Sequence, residues 1–79
     1  GILVKEEYRD LGIGTEMMRT LIDEAKKIGV EVFLLRCFAE NARAIHVYEK
    51  VGFKEVGREP KAAKQAGRYH DLVIMAFGP

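Results

Sequence analysis

The sequence has 79 residues, of which 48% are hydrophobic and 32% are charged, and its formal net charge is +1. A chain of this length forms one compact domain, and a nearly neutral charge excludes the basic field that attracts nucleic acids and acidic membranes. Cys37 is the single cysteine, which excludes an intrachain disulfide. Neither a run of about 18 apolar residues nor a signal-like N-terminus is present. We therefore expect a cytoplasmic protein without nucleic-acid or membrane partners.

The beginning of the chain predicts a strand followed by an amphipathic helix. Residues 1–4 form a short apolar run that suits the end of a buried strand. Gly29 predicts the end of the helix, because glycine tolerates the left-handed conformation just past a helix, and Lys26 and Lys27 suit the negative end of its dipole. From Ile13 onward, apolar residues recur at spacings of three and four, which is typical of one helical stripe: Met17, Met18, Leu21, Ile22, Ala25 and Ile28.

A second strand and a second helix are predicted next. The run from Val30 to Phe38 is rich in Val, Phe and Leu, which is typical of a strand covered on both faces. Because a helix separates it from the first strand, the two strands should be parallel. Asn41 is a suitable N-cap for a helix that ends at Gly52. The apolar positions of that helix share one face: Ala44, Ile45, Tyr48 and Val51.

The end of the chain predicts a β-hairpin. Residues 53–58 and 70–77 have the composition of two strands, and the segment between them contains Pro60 and Gly67, which favour a loop. The predicted order is therefore strand-helix-strand-helix-strand-strand. That order predicts an α/β fold with a mixed sheet.

The segment between the first strand and the first helix carries the most informative chemistry. Gly12 and Gly14 stand where a loop turns into a helix, so unpaired backbone N–H groups and the positive end of the helix dipole converge there. The glycines would let the backbone approach a pyrophosphate, and Arg9 could add a charge-assisted contact. From these residues alone, a tight turn without a ligand remains the alternative.

Two nucleotide-binding motifs fit this segment badly. A dinucleotide-binding Rossmann turn requires a third glycine where the chain has Met17, and an acidic residue at the end of the next strand, where it has Arg36. The phosphate loop of nucleotide hydrolases requires a lysine before Ser or Thr, and Gly14-Thr15 lacks it.

Two segments together resemble the GCN5-related N-acetyltransferases (GNAT). Val4, Tyr8 and the run from Arg9 to Gly14 are similar to the Q/R-x-x-G-x-G/A segment of that family, and a long helix follows as it does there. The family's N-x-x-A-x-x-x-Y-x-x-x-G-F signature is matched by Asn41, Ala44, Tyr48, Gly52 and Phe53. The resemblance covers essentially the whole chain and implies the C-terminal, acetyl-CoA-binding portion of a GNAT fold.

The resemblance implies acetyl-CoA as cosubstrate and no metal. It assigns backbone groups of Ile2, Leu3 and Val4 to the pantetheine arm and the thioester carbonyl, because this strand splays from the next one in the family. Asn41 would hydrogen-bond the coenzyme arm in addition to capping its helix. The turn that would hold the pyrophosphate comprises Arg9, Asp10, Leu11, Gly12, Ile13, Gly14 and Thr15.

The resemblance also implies that Tyr48 is the general acid that protonates the departing thiolate. A phenol pKa of about 10 is close enough to a thiol pKa of about 8.5 for this transfer. From its position alone, Tyr48 on the apolar helix face would be a core aromatic. The general base is not identified, because Arg36 occupies the position where some similar proteins carry a glutamate, and a guanidinium cannot accept the proton.

Other polar residues carry weaker signals. His46 and His70 have no partners at metal-binding spacing, so we expect surface or hydrogen-bonded histidines. The basic residues Lys61, Lys64 and Arg68 are most simply a solvated face. In similar proteins this loop borders the acceptor entrance, so they could instead favour acidic acceptors.

The function implied by the resemblance is transfer of acetyl from acetyl-CoA to a primary amine of an unidentified acceptor. The family's elements that precede Gly1 are expected to be absent, which makes residues 1–79 a single partial domain. One alternative is a coenzyme A-binding module without turnover. Another is a fragment that forms a homodimer through the exposed edge at Ile2, Leu3 and Val4.

Overall fold

The computed structural model describes residues 1–7 and 14–78. Its elements in chain order are β1 (Ile2–Glu7), α1 (Thr15–Lys27), β2 (Val32–Phe38), α2 (Ala42–Val51), β3 (Lys54–Gln65) and β4 (Arg68–Phe77). This is the order that the sequence predicts, and the α/β fold class is confirmed.

The four strands form one mixed sheet in the order β1-β2-β4-β3. β1 pairs with β2 in parallel, as the intervening helix predicts. β2 and β3 both pair with β4 in antiparallel fashion, so β4 lies between them. Within the described residues, β1 and β3 are therefore the edge strands.

Both helices pack on the same face of the sheet. Their buried side chains form one core with alternate residues of β2 and β4: Met18, Ile22 and Ala25 of α1, Ala44 and Tyr48 of α2, Phe33, Leu35 and Cys37 of β2, and Val73 and Met75 of β4. The intervening β2 residues Val32, Leu34 and Arg36 are only partly buried. The prediction that β2 is covered on both faces is therefore wrong for the described part of the chain.

The apolar face of α1 is narrower than predicted. Met18, Ile22 and Ala25 follow one line of i, i+4 and i+7 positions and are buried against the sheet. Met17 and Ile28 remain 64% and 83% exposed, because they lie away from that line. The predicted end of the helix is confirmed, since Gly29 has a φ of +93° and its N–H donates to the Lys26 carbonyl.

The end of α2 also follows the prediction. Gly52 has a φ of +121°, and its N–H donates to the carbonyls of Tyr48 and Glu49. A Cβ at this position would lie 2.9 Å from the Phe77 ring, so both the backbone conformation and the close approach require glycine. Phe53 then turns into the core, where it contacts Tyr48 and Phe77.

The hairpin differs from its prediction. β3 continues to Gln65 and β4 begins at Arg68, so the predicted loop through Pro60 is largely strand. β3 contains two register shifts, and the second of them, between Glu59 and Ala63, includes Pro60. Because β3 is an edge strand, a proline at a bulge removes no ladder hydrogen bond.

Asp71 anchors this bulge. Its carboxylate accepts hydrogen bonds from the Lys61 backbone N–H at 3.0 Å and from Nε and Nη2 of Arg58 at 3.3 and 3.2 Å. The Lys61 N–H, followed by Arg58, holds the pKa of Asp71 below its usual value of 3.8. The carboxylate is therefore ionised at neutral pH and fixes β4 to the bulged part of β3.

Candidate functional site

The candidate site lies at the edge of the sheet where the parallel strands end. Glu7 of β1 is paired with Cys37 of β2, so the carboxyl ends of the two strands lie side by side. In the chain, α1 is the next element after β1, and α2 is the next element after β2. Ligands of open α/β sheets typically bind at the carboxyl ends of neighbouring strands.

The start of α1 is the described part of the predicted phosphate-binding turn. The predicted residues Arg9, Asp10, Leu11, Gly12 and Ile13 lie outside the described residues, whereas Gly14 and Thr15 lie within them. Gly14 is the N-cap, and among the described residues no side chain caps the first N–H groups of α1. A Cβ added at Gly14 would meet no heavy atom of the described residues within 4 Å. With respect to the described part of the chain, the helix start is therefore uncapped and sterically open, as an anion site at a helix N-terminus requires.

β1 does not splay from β2. The two strands pair continuously from Ile2 with Val32 to Glu7 with Cys37, so the expected splay is wrong for this structure. Ile2 and Val4 are 67% and 58% exposed, whereas Leu3 packs against the core. Backbone contacts of Ile2, Leu3 and Val4 with a pantetheine arm stay a prediction. Such contacts require either that the pantetheine arm binds along the unpaired edge of β1 or that the β1–β2 pair opens.

Asn41 is the N-cap of α2, as predicted. Its Oδ1 accepts a hydrogen bond from the Ala44 N–H at 3.1 Å. This bond uses the oxygen of the carboxamide and leaves the Nδ2 amide group as a donor. The same side chain can therefore cap the helix and donate to a carbonyl of a bound coenzyme arm.

Two substitutions separate these roles of Asn41. Asn41→Asp retains an oxygen for the cap and removes the amide donor, so we expect nearly unchanged thermal stability with weaker acetyl-CoA binding. Asn41→Ala also removes the cap, which should cost a further ~1 kcal/mol of unfolding free energy. Thermal unfolding and calorimetric titration measure the two effects. Equal acetyl-CoA affinity in Asn41→Asp and wild type would restrict Asn41 to capping.

Tyr48 lies two helical turns after Asn41 on the same face of α2. The residue is 3% exposed, and its ring packs edge-on against Phe53 at a centroid distance of 5.9 Å. The packing of the ring thus agrees with a purely structural role of Tyr48 in the core, and it agrees equally with the implied catalytic role. Among the described residues, none forms a hydrogen bond with the Tyr48 hydroxyl. A buried hydroxyl that has no partner among the described residues is available to donate to a ligand.

Arg36 is engaged with a carboxylate. Its Nε donates to Oε1 of Glu59 at 2.7 Å, across the intervening strand β4. This ion pair agrees with the expectation that Arg36 is no general base. Glu59 lies on β3 and was not singled out from the sequence.

A contact between Glu40 and His70 was also missed by sequence reasoning. The Glu40 carboxylate contacts Nδ1 of His70, and Nε2 of His70 lies 3.1 Å from the Gln65 carbonyl oxygen. The imidazole stacks on Phe38 at a centroid distance of 4.7 Å. His70 is thus a hydrogen-bonded histidine, as expected, and His46 is exposed on α2. Glu40 and His70 are 30 positions apart in the sequence, so no local signal predicts their contact.

The described residues show neither a metal-binding cluster nor a membrane-spanning helix. Over residues 1–7 and 14–78, no group of three or more His, Cys, Asp or Glu side chains is arranged to hold a metal ion. Neither of the two described helices has the length and apolar character needed to cross a membrane.

Comparison with known proteins identifies the family. Residues 1–53 match the model of the acetyltransferase (GNAT) family. The chain therefore belongs to the GNAT acetyltransferases.

Individual relatives agree with this assignment. The chain is 36% identical over 76 residues to ribosomal protein bS18-alanine N-acetyltransferase of Escherichia coli K12, covering 96% of this chain and 51% of that protein. It is 28% identical over 74 residues to L-methionine sulfoximine/L-methionine sulfone acetyltransferase of Pseudomonas aeruginosa PAO1, covering 94% of this chain and 43% of that protein. The chain thus spans about half the length of the curated relatives it matches.

A solved structure supports the fold. yncA from Salmonella typhimurium, solved with its cofactor acetyl-CoA, superposes with a TM-score of 0.79 at 28% identity. The superposition covers 90% of this chain and 41% of that one. The arrangement of two helices on a mixed sheet, as described above, is therefore shared with a protein that was solved with acetyl-CoA.

Proposed function

We propose that this chain binds acetyl-CoA and acts within an N-acetyltransferase that acetylates a primary amine. The observation that carries the proposal is the pair of unused polar groups on one face of α2. The Asn41 amide and the Tyr48 hydroxyl are seven residues apart, which corresponds to about 10 Å along the helix. In the proposed complex the coenzyme arm contacts the Asn41 amide at the start of α2, and the thioester sulfur comes within reach of the Tyr48 hydroxyl.

The start of α1 is the proposed position of the pyrophosphate. No described side chain caps its first N–H groups, and these groups and the helix dipole favour negative charge. No described atom would obstruct phosphate oxygens at Gly14. The same proposal includes Thr15 and the residues from Arg9 to Ile13. Backbone groups of Ile2, Leu3 and Val4 are proposed for the pantetheine arm and the thioester carbonyl.

The chemistry assigned to the chain is proton donation and stabilisation of charge. Bound acetyl-CoA supplies a thioester carbonyl that an uncharged amine attacks. Backbone N–H groups of β1 would donate to the carbonyl oxygen as it gains negative charge. Tyr48 would donate its proton to the sulfur as the carbon–sulfur bond breaks. Arg36 cannot remove the proton of the amine, so water or another residue performs that step.

An acetylation assay tests this function. The full-length gene product is mixed with acetyl-CoA and a panel of amines, and release of the coenzyme A thiol is followed. The panel includes free amino acids and peptides with N-terminal alanine, because the relatives named above act on an amino-acid derivative and on an alanine of a ribosomal protein. Amine-dependent thiol release is the expected result. Absence of both thiol release and acetyl-CoA binding would contradict the proposal.

A second candidate is coenzyme A binding without turnover. The ion pair between Arg36 and Glu59 favours it, because a position that could have carried a base holds an engaged cation. Acetyl-CoA binding without transfer to any amine of the panel would support this candidate.

Cys37, the single cysteine, is buried, and a reduced thiol of this kind fits the cytoplasm as the site of action.

We also propose that the isolated 79-residue chain self-associates through β1. Ile2 and Val4 are exposed on this edge strand, and an apolar edge with unpaired backbone groups tends to pair with another strand. Light scattering across a tenfold dilution should show a change of mass from dimer toward monomer. A Val4→Lys variant, which places a charge on the same edge, should shift the equilibrium toward monomer. A constant monomer mass for the wild-type chain would contradict this proposal.

A further inference from the structure

A polar cavity of about 260 Å³ lies beside the candidate coenzyme site. Its lining comes from the segment between β2 and α2, from β3 and from the start of β4. The charged and titratable residues that line it are Glu40, Arg58, Arg68, Tyr69, His70 and Asp71.

The charges of this cavity are unevenly paired. The Asp71 carboxylate accepts from Arg58 at 3.2 Å, and the Glu40 carboxylate contacts His70. Each carboxylate thus already has a basic partner. Arg68 is exposed, and among the described residues it has no ion-pair partner. The cavity therefore offers one guanidinium whose donors are available to a ligand.

The position of the cavity along the sheet edge suggests what it would bind. β1 leads toward the start of α1, and β2 leads to Asn41, where the proposed coenzyme contacts lie. The next strand in the sheet is β4, and Ala39, two residues before Asn41, donates its N–H to the Asp71 carbonyl at the cavity. With a coenzyme arm at α1 and Asn41, the cavity is the adjacent space at the same edge.

We propose that Arg68 in this cavity binds a carboxylate of the acetyl acceptor, so that the preferred acceptors are aminocarboxylates. The proposal rests on the proposed acetyltransferase function. A planar guanidinium pairs with a carboxylate through two parallel hydrogen bonds. A single available cation among paired charges matches a monoanion better than a phosphate dianion, which typically engages several donors. An acceptor amide or ester would lose this contact.

Paired acceptors test the proposal. The full-length gene product is assayed with aminocarboxylates of increasing chain length, each beside its primary amide. At least one acid should exceed its amide by about tenfold in kcat/KM, as expected for a charge-assisted pair of hydrogen bonds. Arg68→Gln should remove this preference and leave the KM for acetyl-CoA unchanged. Lys54→Gln is the matched control, because it removes an exposed cation from the opposite end of the same hairpin, outside the cavity, and should retain the preference.

Three results would overturn the proposal. The first is equal kcat/KM for every acid and its amide, and the second is a preference that persists in Arg68→Gln. The third is a weaker affinity of Arg68→Gln for coenzyme A but not for dephospho-coenzyme A, which would assign Arg68 to a coenzyme phosphate.

A direct binding measurement keeps the proposal testable without turnover. Titration of the ¹⁵N-labelled protein with the aminocarboxylates should shift the backbone N–H signals of residues 68–71. Titration with the corresponding primary amides should not shift them, and neither should titration of the Arg68→Gln variant with the aminocarboxylates. Such shifts without thiol release would support the carboxylate site and contradict the acetyltransferase function. Absence of acid-specific shifts would contradict the carboxylate site, whether or not acetyl transfer occurs.

Discussion

Tyr48→Phe is expected to lower the kcat of the full-length gene product by about a hundred- to ten-thousandfold, the usual contribution of general acid catalysis. The affinity for acetyl-CoA should stay nearly unchanged, because the hydroxyl acts only as the thiolate departs. Thermal stability should also be retained. The ring remains packed against Phe53, and the hydroxyl has no hydrogen bond to another described residue that the substitution could remove.

Steady-state kinetics and calorimetric titration of the same preparation measure these effects. His46→Gln is a suitable control, since His46 is exposed on the same helix, outside the proposed site. It should match the wild type in turnover, affinity and melting temperature. Wild-type turnover in Tyr48→Phe would make Tyr48 a core aromatic only. A parallel fall in stability and turnover would indicate a structural role.

Gly14→Thr is expected to weaken acetyl-CoA binding by at least about tenfold while helix α1 becomes no less stable. Gly14 has a φ of −79° and a ψ of 168°, which threonine adopts readily. The threonine side chain would enter space that no described residue occupies and could cap the N–H groups that the pyrophosphate is proposed to use. Capping and ligand binding therefore compete for the same donors, so acetyl-CoA affinity should fall without a loss of thermal stability.

Thermal unfolding and acetyl-CoA titration of Gly14→Thr give both quantities. Gly57→Ala is a glycine control on β3, where an added Cβ would make an ordinary contact 3.5 Å from Ile74. It should bind acetyl-CoA like the wild type. Unchanged affinity in Gly14→Thr would show that the start of α1 is a structural turn and holds no phosphate.

Elements with local signals could be predicted from the sequence. Asn41 and Gly52 define the ends of α2 because capping depends on the residue type at one position, and both predictions are confirmed. The parallel pairing of β1 with β2 follows from the helix between them. The family signature brought Asn41 and Tyr48 together, and the structure places both on one face of α2.

Features that depend on distant contacts could not be predicted in this way. Pro60 suggested a loop, but β3 lies at an edge of the sheet and tolerates a bulge that Asp71 stabilises. Met17 fits the helical stripe of α1 by spacing, yet it remains exposed because only one line of that stripe meets the sheet. The polar cavity at Arg68 joins segments about 30 residues apart in the chain, as the Glu40–His70 contact shows.

The most direct test of the account is a calorimetric titration of the wild-type protein with acetyl-CoA. The central claim is that the edge formed by the start of α1 and the face of α2 binds this coenzyme. Saturable binding at one site per chain, weakened in Gly14→Thr and in Asn41→Asp, is the predicted result. A folded protein that shows no binding heat and no thermal shift with acetyl-CoA would contradict the account.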